Sequence, residues 1–89
     1  MKTLVIIDDE VFFRKSLINF LEKQNIYKIV GEANNGQAGI KLIENIKPDI
    51  ALVDISMPIM SGLDMIETFG ADCHTKFILS TGYEAVSYT

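Results

Sequence analysis

The chain lacks tryptophan and has only two prolines and one cysteine among its 89 residues. The lone Cys73 cannot close an internal disulfide, which predicts a reducing, cytoplasmic setting. No apolar run approaches the length of about 18 residues that marks a membrane-spanning helix. The chain enters an apolar strand pattern at once, without the charged region, apolar stretch and cleavage site of a secretory signal. We therefore expect no membrane association.

Basic residues are also few and scattered: eight Lys and Arg stand against twelve Asp and Glu, for a net charge of −4. Proteins that bind nucleic acid neutralise phosphates with clustered basic side chains, so no nucleic acid is expected to bind this segment. Cys73 and His74 are adjacent, but the chain has no second cysteine or histidine to complete a zinc site. The length fits one small domain.

Apolar patterns of two kinds alternate along the chain. Strands are predicted over 3–8, 27–33, 50–54 and 77–80, and helices over 11–24, 36–46 and 62 to about 69. This order predicts an α/β fold of βαβ units, in which a parallel sheet carries helices on both faces. The strand at 27–33 has the weakest pattern and is expected at an edge. The turn Asn34-Asn35-Gly36 and the residue Ser61 are candidate caps for the helices that follow them.

The end of the chain predicts an incomplete domain. Residues 83–89 could begin a helix, and the strand at 77–80 would then keep a free edge, which native sheets avoid. We therefore interpret 1–89 as a single domain that is C-terminally incomplete, or one whose edge another chain covers. A free edge of this kind also allows a homodimer.

Three carboxylates stand where predicted strands end. Asp8 and Asp9 follow the apolar run 4–7, and Asp54 follows the run 50–53. Parallel strands have their carboxyl ends along one edge of the sheet, where ligands bind in α/β folds. Carboxylates that close together need a neutralising partner, and a hard divalent cation with oxygen ligands, Mg²⁺ above all, fits that need.

Three motifs occur in order, each at the end of a predicted strand. They are Asp8-Asp9-Glu10, the D-x-x-M-P-x-M-x-G pattern over 54–62, and the hydroxyl and small residue Thr81-Gly82. Together they resemble the receiver domain of two-component response regulators, and the resemblance covers the whole chain. It implies the flavodoxin-like receiver fold, here without its last βα unit.

The resemblance also implies roles for particular residues. Asp54 would accept a phosphoryl group from a histidine kinase or phosphotransfer protein, and Thr81 would be the switch hydroxyl. Asp8, Asp9, Asp54 and the backbone carbonyl of Ser56 would hold Mg²⁺. Such a domain is a phosphoacceptor that catalyses only its own phosphorylation and dephosphorylation. In the parent chain it is usually joined to an output domain, most often one that binds DNA and regulates transcription.

Some assignments stay open. Ser80 would replace Thr81 as the functional hydroxyl if the strand register were shifted by one, since neighbouring residues point to opposite faces. The family also uses a lysine after a fifth strand, and no lysine here matches it. Lys47 and Lys76 each precede a strand, at the wrong end of the sheet.

Two other functions are compatible with part of the pattern. One is a Mg²⁺-dependent phosphohydrolase with an aspartyl nucleophile. Such enzymes resemble D-x-D-x-[TV], but Glu10 and Ser56 stand two positions after Asp8 and Asp54, so the match fails. The other is a receiver-like interaction module that is never phosphorylated.

Overall fold

Alternating strands and helices make up the part of the chain that the computed structural model describes: residues 1–70 and 73–80, with the backbone of 85–88. The elements are β1 (Lys2–Ile7), α1 (Val11–Gln24), β2 (Tyr27–Ala33), α2 (Gly36–Ile46), β3 (Ile50–Asp54), α3 (Gly62–Glu67), β4 (Lys76–Ser80) and β5 (Ala85–Tyr88). The seven predicted elements are all present. The main difference in bounds is that α3 ends at Glu67, with Thr68 as its C-cap.

The strands form one sheet in the order β2-β1-β3-β4-β5. Strands β1 to β4 are parallel, and β2 lies at an edge as predicted. In β1 and β2 the register shifts between Leu4 and Val5, which is a local irregularity of the bulge type. The four parallel strands confirm the predicted flavodoxin-like architecture.

The prediction for the tail was wrong. Residues Ala85–Tyr88 form a strand rather than the start of a helix, and β5 pairs antiparallel with β4, from Ser80↔Ala85 to Phe77↔Tyr88. An open strand edge leaves a row of backbone N–H and C=O groups unpaired, and the following segment satisfies them here. The free fourth-strand edge is therefore covered, which removes the basis for predicting a homodimer through it.

Strand residues alternate between two apolar clusters. One face of the sheet directs Val5, Ile7 and Val53 toward α2 and α3, which contribute Ile43 and Met65. The opposite face packs against α1 with a smaller cluster. That cluster consists of Leu4, Ile6 and Ile50, with Leu17, Ile18 and Leu21 of α1 packed against it. Helices therefore cover both faces, as predicted, and the sheet is the buried layer.

Two helix starts are fixed by the predicted caps. Asn35 Oδ1 accepts a hydrogen bond from the Ala38 N–H at 2.8 Å, and Ser61 Oγ accepts one from the Asp64 N–H at 3.2 Å. Both caps lie just beyond the carboxyl edge of the sheet, so they position the loops around that edge. Within the described residues, no helix combines the length and the apolar character that a bilayer crossing demands.

Candidate functional site at the carboxyl edge of the sheet

Three carboxylates converge at the carboxyl edge of β1 and β3. Asp8 directly follows β1, Asp54 is the last residue of β3, and Ile7 pairs with Val53 in the register between them. One carboxylate oxygen from each of Asp8, Asp9 and Asp54 lies within 4.8 Å of the others. The structure thus brings together the three acids that the sequence placed at one edge.

The three acids differ in burial and support. Asp8 is only 5% exposed, whereas Asp54 is half-buried and Asp9 is exposed. The Asp8 N–H donates to the carbonyl of Ala33 at 3.0 Å, and its Oδ1 accepts from the Glu10 N–H at 2.8 Å. Asp8 is therefore held by both its backbone and its side chain, while Asp9 stands toward solvent.

Electrostatics disfavour the ionised form of Asp54. Burial raises the pKa of Asp54 above its ordinary value, and the nearby charges of Asp8 and Asp9 raise it further. The Ser56 N–H donates to Asp54 Oδ1 at 3.3 Å and opposes this increase. A cation among the three carboxylates would favour the ionised form, so this donor set suits a hard divalent metal.

The loop after Asp54 is closed against the backbone of that residue. The Gly62 N–H donates to the carbonyl of Ile55 at 3.1 Å, and the Ile55 N–H donates to the carbonyl of Ser80 at 3.0 Å. A Cβ at Gly62 would overlap the carbonyl oxygen of Asp54. Glycine is needed at position 62 because α3 begins in contact with the residue that carries the central carboxylate.

The tightest turn of this loop lies at Ile59, which sequence reasoning did not single out. Ile59 has a φ of 71° and is 100% exposed. The Met60 N–H donates to the carbonyl of Pro58 at 2.7 Å, which closes a three-residue turn around it. A β-branched residue is among the least suited to positive φ, so residue type gave no signal here.

The other predicted residues fall in different places. Thr81 lies outside the described residues. Ser80 pairs with Asp54 between β3 and β4 and is buried. Lys76 pairs with Ile50 at the other end of β3, four residues or about 13 Å along the strand from Asp54. The placement of Lys76 at the amino edge confirms that it is remote from the acidic cluster.

A further residue contacts the site from α1. Arg14 Nη1 donates to the carbonyl of Asp8 at 2.7 Å, and Arg14 Nε pairs with Glu32 Oε1 at 2.6 Å. The sequence pattern identified no role for Arg14. In the sequence, the one indication of such a contact is that Arg14 lies in the helix that follows Asp8 and Asp9. The contacts with the Asp8 carbonyl and Glu32 form only once the chain has folded.

Comparisons with known proteins agree with this geometry. A family model described as response regulator receiver domain matches residues 4–89. The transcriptional regulatory protein YdfI of Bacillus subtilis is 37% identical over 83 residues, which cover 93% of this chain and 39% of that protein. A protein-glutamate methylesterase/protein-glutamine glutaminase of Idiomarina loihiensis is 36% identical over 64 residues, 72% of this chain and 17% of that protein.

Among solved structures, the signal receiver domain of the response regulator NarL from Mycobacterium tuberculosis superposes with a TM-score of 0.79 at 31% identity. The match covers 88% of this chain and 64% of that one. The chain spans less than half the length of YdfI and of the Idiomarina loihiensis methylesterase. Its motifs, its sheet and its match over residues 4–89 place the chain in the response regulator receiver domain family.

Proposed function

We propose that Asp54 accepts a phosphoryl group from the phosphohistidine of a histidine kinase or phosphotransfer protein, in a Mg²⁺-dependent reaction. In this step the N–P bond of the phosphohistidine breaks and a P–O bond to a carboxylate oxygen of Asp54 forms. The imidazole nitrogen keeps the electron pair. The observation that carries the proposal is the convergence of three carboxylate oxygens within 4.8 Å.

Asp54 is suited to the nucleophile's role by position. It ends β3 at the sheet edge, it is half-buried, and the Ser56 N–H directs one of its oxygens. Asp8 is buried and fixed, so it can act as a constant ligand, whereas the exposed Asp9 can adjust. Phosphoryl transfer depends mainly on positioning and charge neutralisation, and Asp8, Asp9 and Asp54 provide the positioning.

The same residues define the proposed Mg²⁺ site. Asp8, Asp9, Asp54 and the backbone carbonyl of Ser56 offer the oxygen ligands that this ion prefers. Bound there, Mg²⁺ would neutralise the charge that gathers on the phosphoryl oxygens during transfer. The raised pKa of Asp54 supports this assignment, because the cluster as it stands penalises the ionised form that the reaction needs.

The proposed output depends on a hydroxyl near Asp54. A phosphoryl group adds charge and acceptor oxygens where a carboxylate stood, and a nearby hydroxyl can donate to it. We assign that role to Thr81, which follows β4 directly. Ser80 remains the alternative, since it pairs with Asp54 in the register between β3 and β4.

Partners follow from the same proposal. The phosphoryl donor is a histidine kinase or phosphotransfer protein, and the output domain belongs to the parent chain. One relative bears the name transcriptional regulatory protein, which supports a role in transcription for the parent of this chain. The cytoplasmic location predicted from the sequence belongs to this proposal too. As a phosphoacceptor, the domain would catalyse only its own phosphorylation and dephosphorylation.

Intact mass after incubation with Mg²⁺ and acetyl phosphate tests the proposal. The unsubstituted protein should gain one phosphoryl group, and the Asp54→Ala variant should gain none. Asp64→Ala is the matched control, because Asp64 is an acid of α3 outside the three-carboxylate cluster. The control should be phosphorylated like the parent.

The outcomes separate the three candidate functions. A stable adduct on Asp54 supports the receiver. Steady release of inorganic phosphate from small phosphate esters, without an adduct, would contradict it and favour a phosphohydrolase. If the folded protein binds Mg²⁺ but gains no mass, even with a kinase-derived phosphohistidine donor, the result would contradict the receiver function and favour a non-phosphorylated interaction module.

A further inference from the structure

The side chain of Arg14 links two elements on either side of Asp8. Its Nη1 donates to the Asp8 carbonyl at 2.7 Å, beyond the end of β1, and its Nε pairs at 2.6 Å with Glu32 near the end of β2. Only 12% of the Arg14 side chain is exposed. A bond made by a largely enclosed guanidinium to two fixed acceptors is geometrically more restrictive than a surface ion pair.

Arg14 completes a set of bonds around Asp8. The Asp8 N–H is bonded to Ala33 and its Oδ1 to the Glu10 N–H, while the Arg14 N–H donates to the Glu10 carbonyl at 3.0 Å. The Asp8 carbonyl accepts a hydrogen bond from the Arg14 guanidinium. The Arg14 side chain thus bonds to the carbonyl of the peptide that joins Asp8 to Asp9.

Lys15 provides an internal comparison. Its Nζ bonds to both carboxylate oxygens of Glu32, at 3.0 and 2.9 Å, but its side chain is 57% exposed. Hydrogen bonds from Lys15, and then from Arg14, lower the pKa of Glu32, so this carboxylate is held in its ionised form. Both cations bond to Glu32, and Arg14 in addition donates a hydrogen bond to the Asp8 carbonyl.

We propose that Arg14 is a positioning residue for the acidic site: anchored by Glu32, it orients the Asp8–Asp9 peptide so that both carboxylates meet Asp54. Because Arg14 bonds to the Asp8 carbonyl and to Glu32, it would act on a bound metal only through the position of Asp8 and Asp9. The planar guanidinium is required because it engages two acceptors at once, which an ammonium on a flexible stem does poorly. This inference rests on the proposed function only in assigning Mg²⁺ to the cluster.

Isothermal titration calorimetry with Mg²⁺ tests this inference. The proteins compared are the unsubstituted protein and the variants Arg14→Met, Arg14→Lys and Lys15→Met. Arg14→Met should weaken Mg²⁺ binding about 10-fold or more, the usual loss when a group that supports metal ligands is removed. Arg14→Lys should restore little of that loss. Lys15→Met should change the affinity less than about threefold, as expected of an exposed pair.

Two further measurements separate positioning from general damage. Arg14→Met should need a higher Mg²⁺ concentration than the unsubstituted protein for half-maximal phosphorylation by acetyl phosphate, and Lys15→Met should not. Without metal, the ¹³C carbonyl shift of Asp8 and the amide shift of Asp9 should move in Arg14→Lys and stay in Lys15→Met. If Arg14→Met fails to fold, Glu32→Gln removes the anchor instead and should weaken Mg²⁺ binding in the same direction.

Equal Mg²⁺ affinity in Arg14→Met and Lys15→Met would overturn the inference, as would unmoved Asp8 and Asp9 shifts in Arg14→Lys. Failure of the proposed function looks different. The parent protein would then bind no Mg²⁺ or gain no phosphoryl group, while the shifts of Asp8 and Asp9 would still report whether Arg14 orients the loop.

Discussion

Strand β3 has an aspartate at each end, and the two have opposite environments. Asp49, just before the strand, accepts from the Thr3 N–H at 2.8 Å and the Thr3 hydroxyl at 3.1 Å, and faces His74 Nε2 at 3.0 Å. These bonds, the Thr3 N–H first, lower the pKa of Asp49. The pKa of Asp54 is raised, mainly by burial and then by two neighbouring acids.

The difference separates a carboxylate that joins strands from the one proposed to accept a phosphoryl group. At the amino edge, Asp49 joins the starts of β1, β3 and β4, because its carbonyl also accepts from the Lys76 N–H at 2.9 Å. At the carboxyl edge, the described part of the chain gives Asp54 one weak donor and two like charges. Residue type and strand are the same, so the neighbours alone decide whether an aspartate stabilises the fold or stays available for a ligand.

The largest expected effect is on chemistry. Asp54→Asn should abolish phosphoryl incorporation from acetyl phosphate, because it removes the nucleophilic oxygen. Asp49→Asn should retain incorporation while lowering the thermal midpoint, because the paired carboxylate is lost. Intact mass and thermal unfolding on both variants check this. Retained labelling of Asp54→Asn at the same site would remove the distinction between the two edges.

Gly62→Ala should have the next largest effect. The new methyl group would overlap the Asp54 carbonyl, so the start of α3 has to move, at a cost of about 1–3 kcal/mol in the free energy of unfolding. Gly70→Ala is the matched control, since a Cβ there meets no atom of the described residues within 4 Å. Urea unfolding measures both. Equal stability of the two variants would show that the backbone at Asp54 is not closely packed.

Ile59→Gly should stabilise the fold. Relief of a positive φ in a β-branched residue is worth about 1–2 kcal/mol, and the greater unfolded-state entropy of glycine subtracts about 0.5–1 kcal/mol. Lys47, at φ 51° after α2, is the comparison at the amino edge. Lys47→Gly should gain less, because lysine is not β-branched. A loss of stability in Ile59→Gly would show that this side chain contributes contacts.

The smallest effect is the pH dependence of stability. A raised pKa means that folded Asp54 holds its proton more tightly than the unfolded chain, so its contribution to stability falls as pH rises through that range. Asp49, whose pKa is lowered, contributes above its unfolded pKa and loses that contribution as pH falls through its folded pKa.

Two variants should therefore show opposite differences from the parent near neutral pH. Asp54→Asn should be more stable, by an amount on the order of 0.5–1 kcal/mol for partly exposed charges, and Asp49→Asn less stable. Both differences should shrink as the solution becomes acidic. The measurement is the thermal midpoint of both variants and of the unsubstituted protein, from neutral pH down to about pH 3, which lies below the ordinary aspartate pKa. Added Mg²⁺ should stabilise the parent and reverse the advantage of Asp54→Asn.

Local sequence patterns predicted the parallel part of the fold well. The periodicity of apolar residues placed seven elements. The turn 34–36, in which Asn35 is the cap, and the cap Ser61 were identifiable because capping needs only neighbouring residues. The meeting of Asp8 and Asp54 followed from one rule, that parallel strands end at one edge. These inferences required no knowledge of long-range contacts.

The remaining features depend on contacts that no local pattern contains. The strand β5 forms because β4 presents an edge to it, and Ala85–Tyr88 is too short a segment to indicate this alone. The positive φ of Ile59 is imposed by the closed loop around it. Arg14 acquires its role only when β2 brings Glu32 beside α1.

The position of β1 between β2 and β3 has a consequence for synthesis on the ribosome. About 40 residues separate the end of β1 from the start of β3, and translation adds roughly 5–20 residues per second. Over those few seconds β1 has at first no neighbouring strand and then only β2, although every side chain from Leu4 to Ile7 is apolar. The strand that supports Asp8 is thus made early and enclosed late, because its second neighbour is synthesised only after β2 and α2.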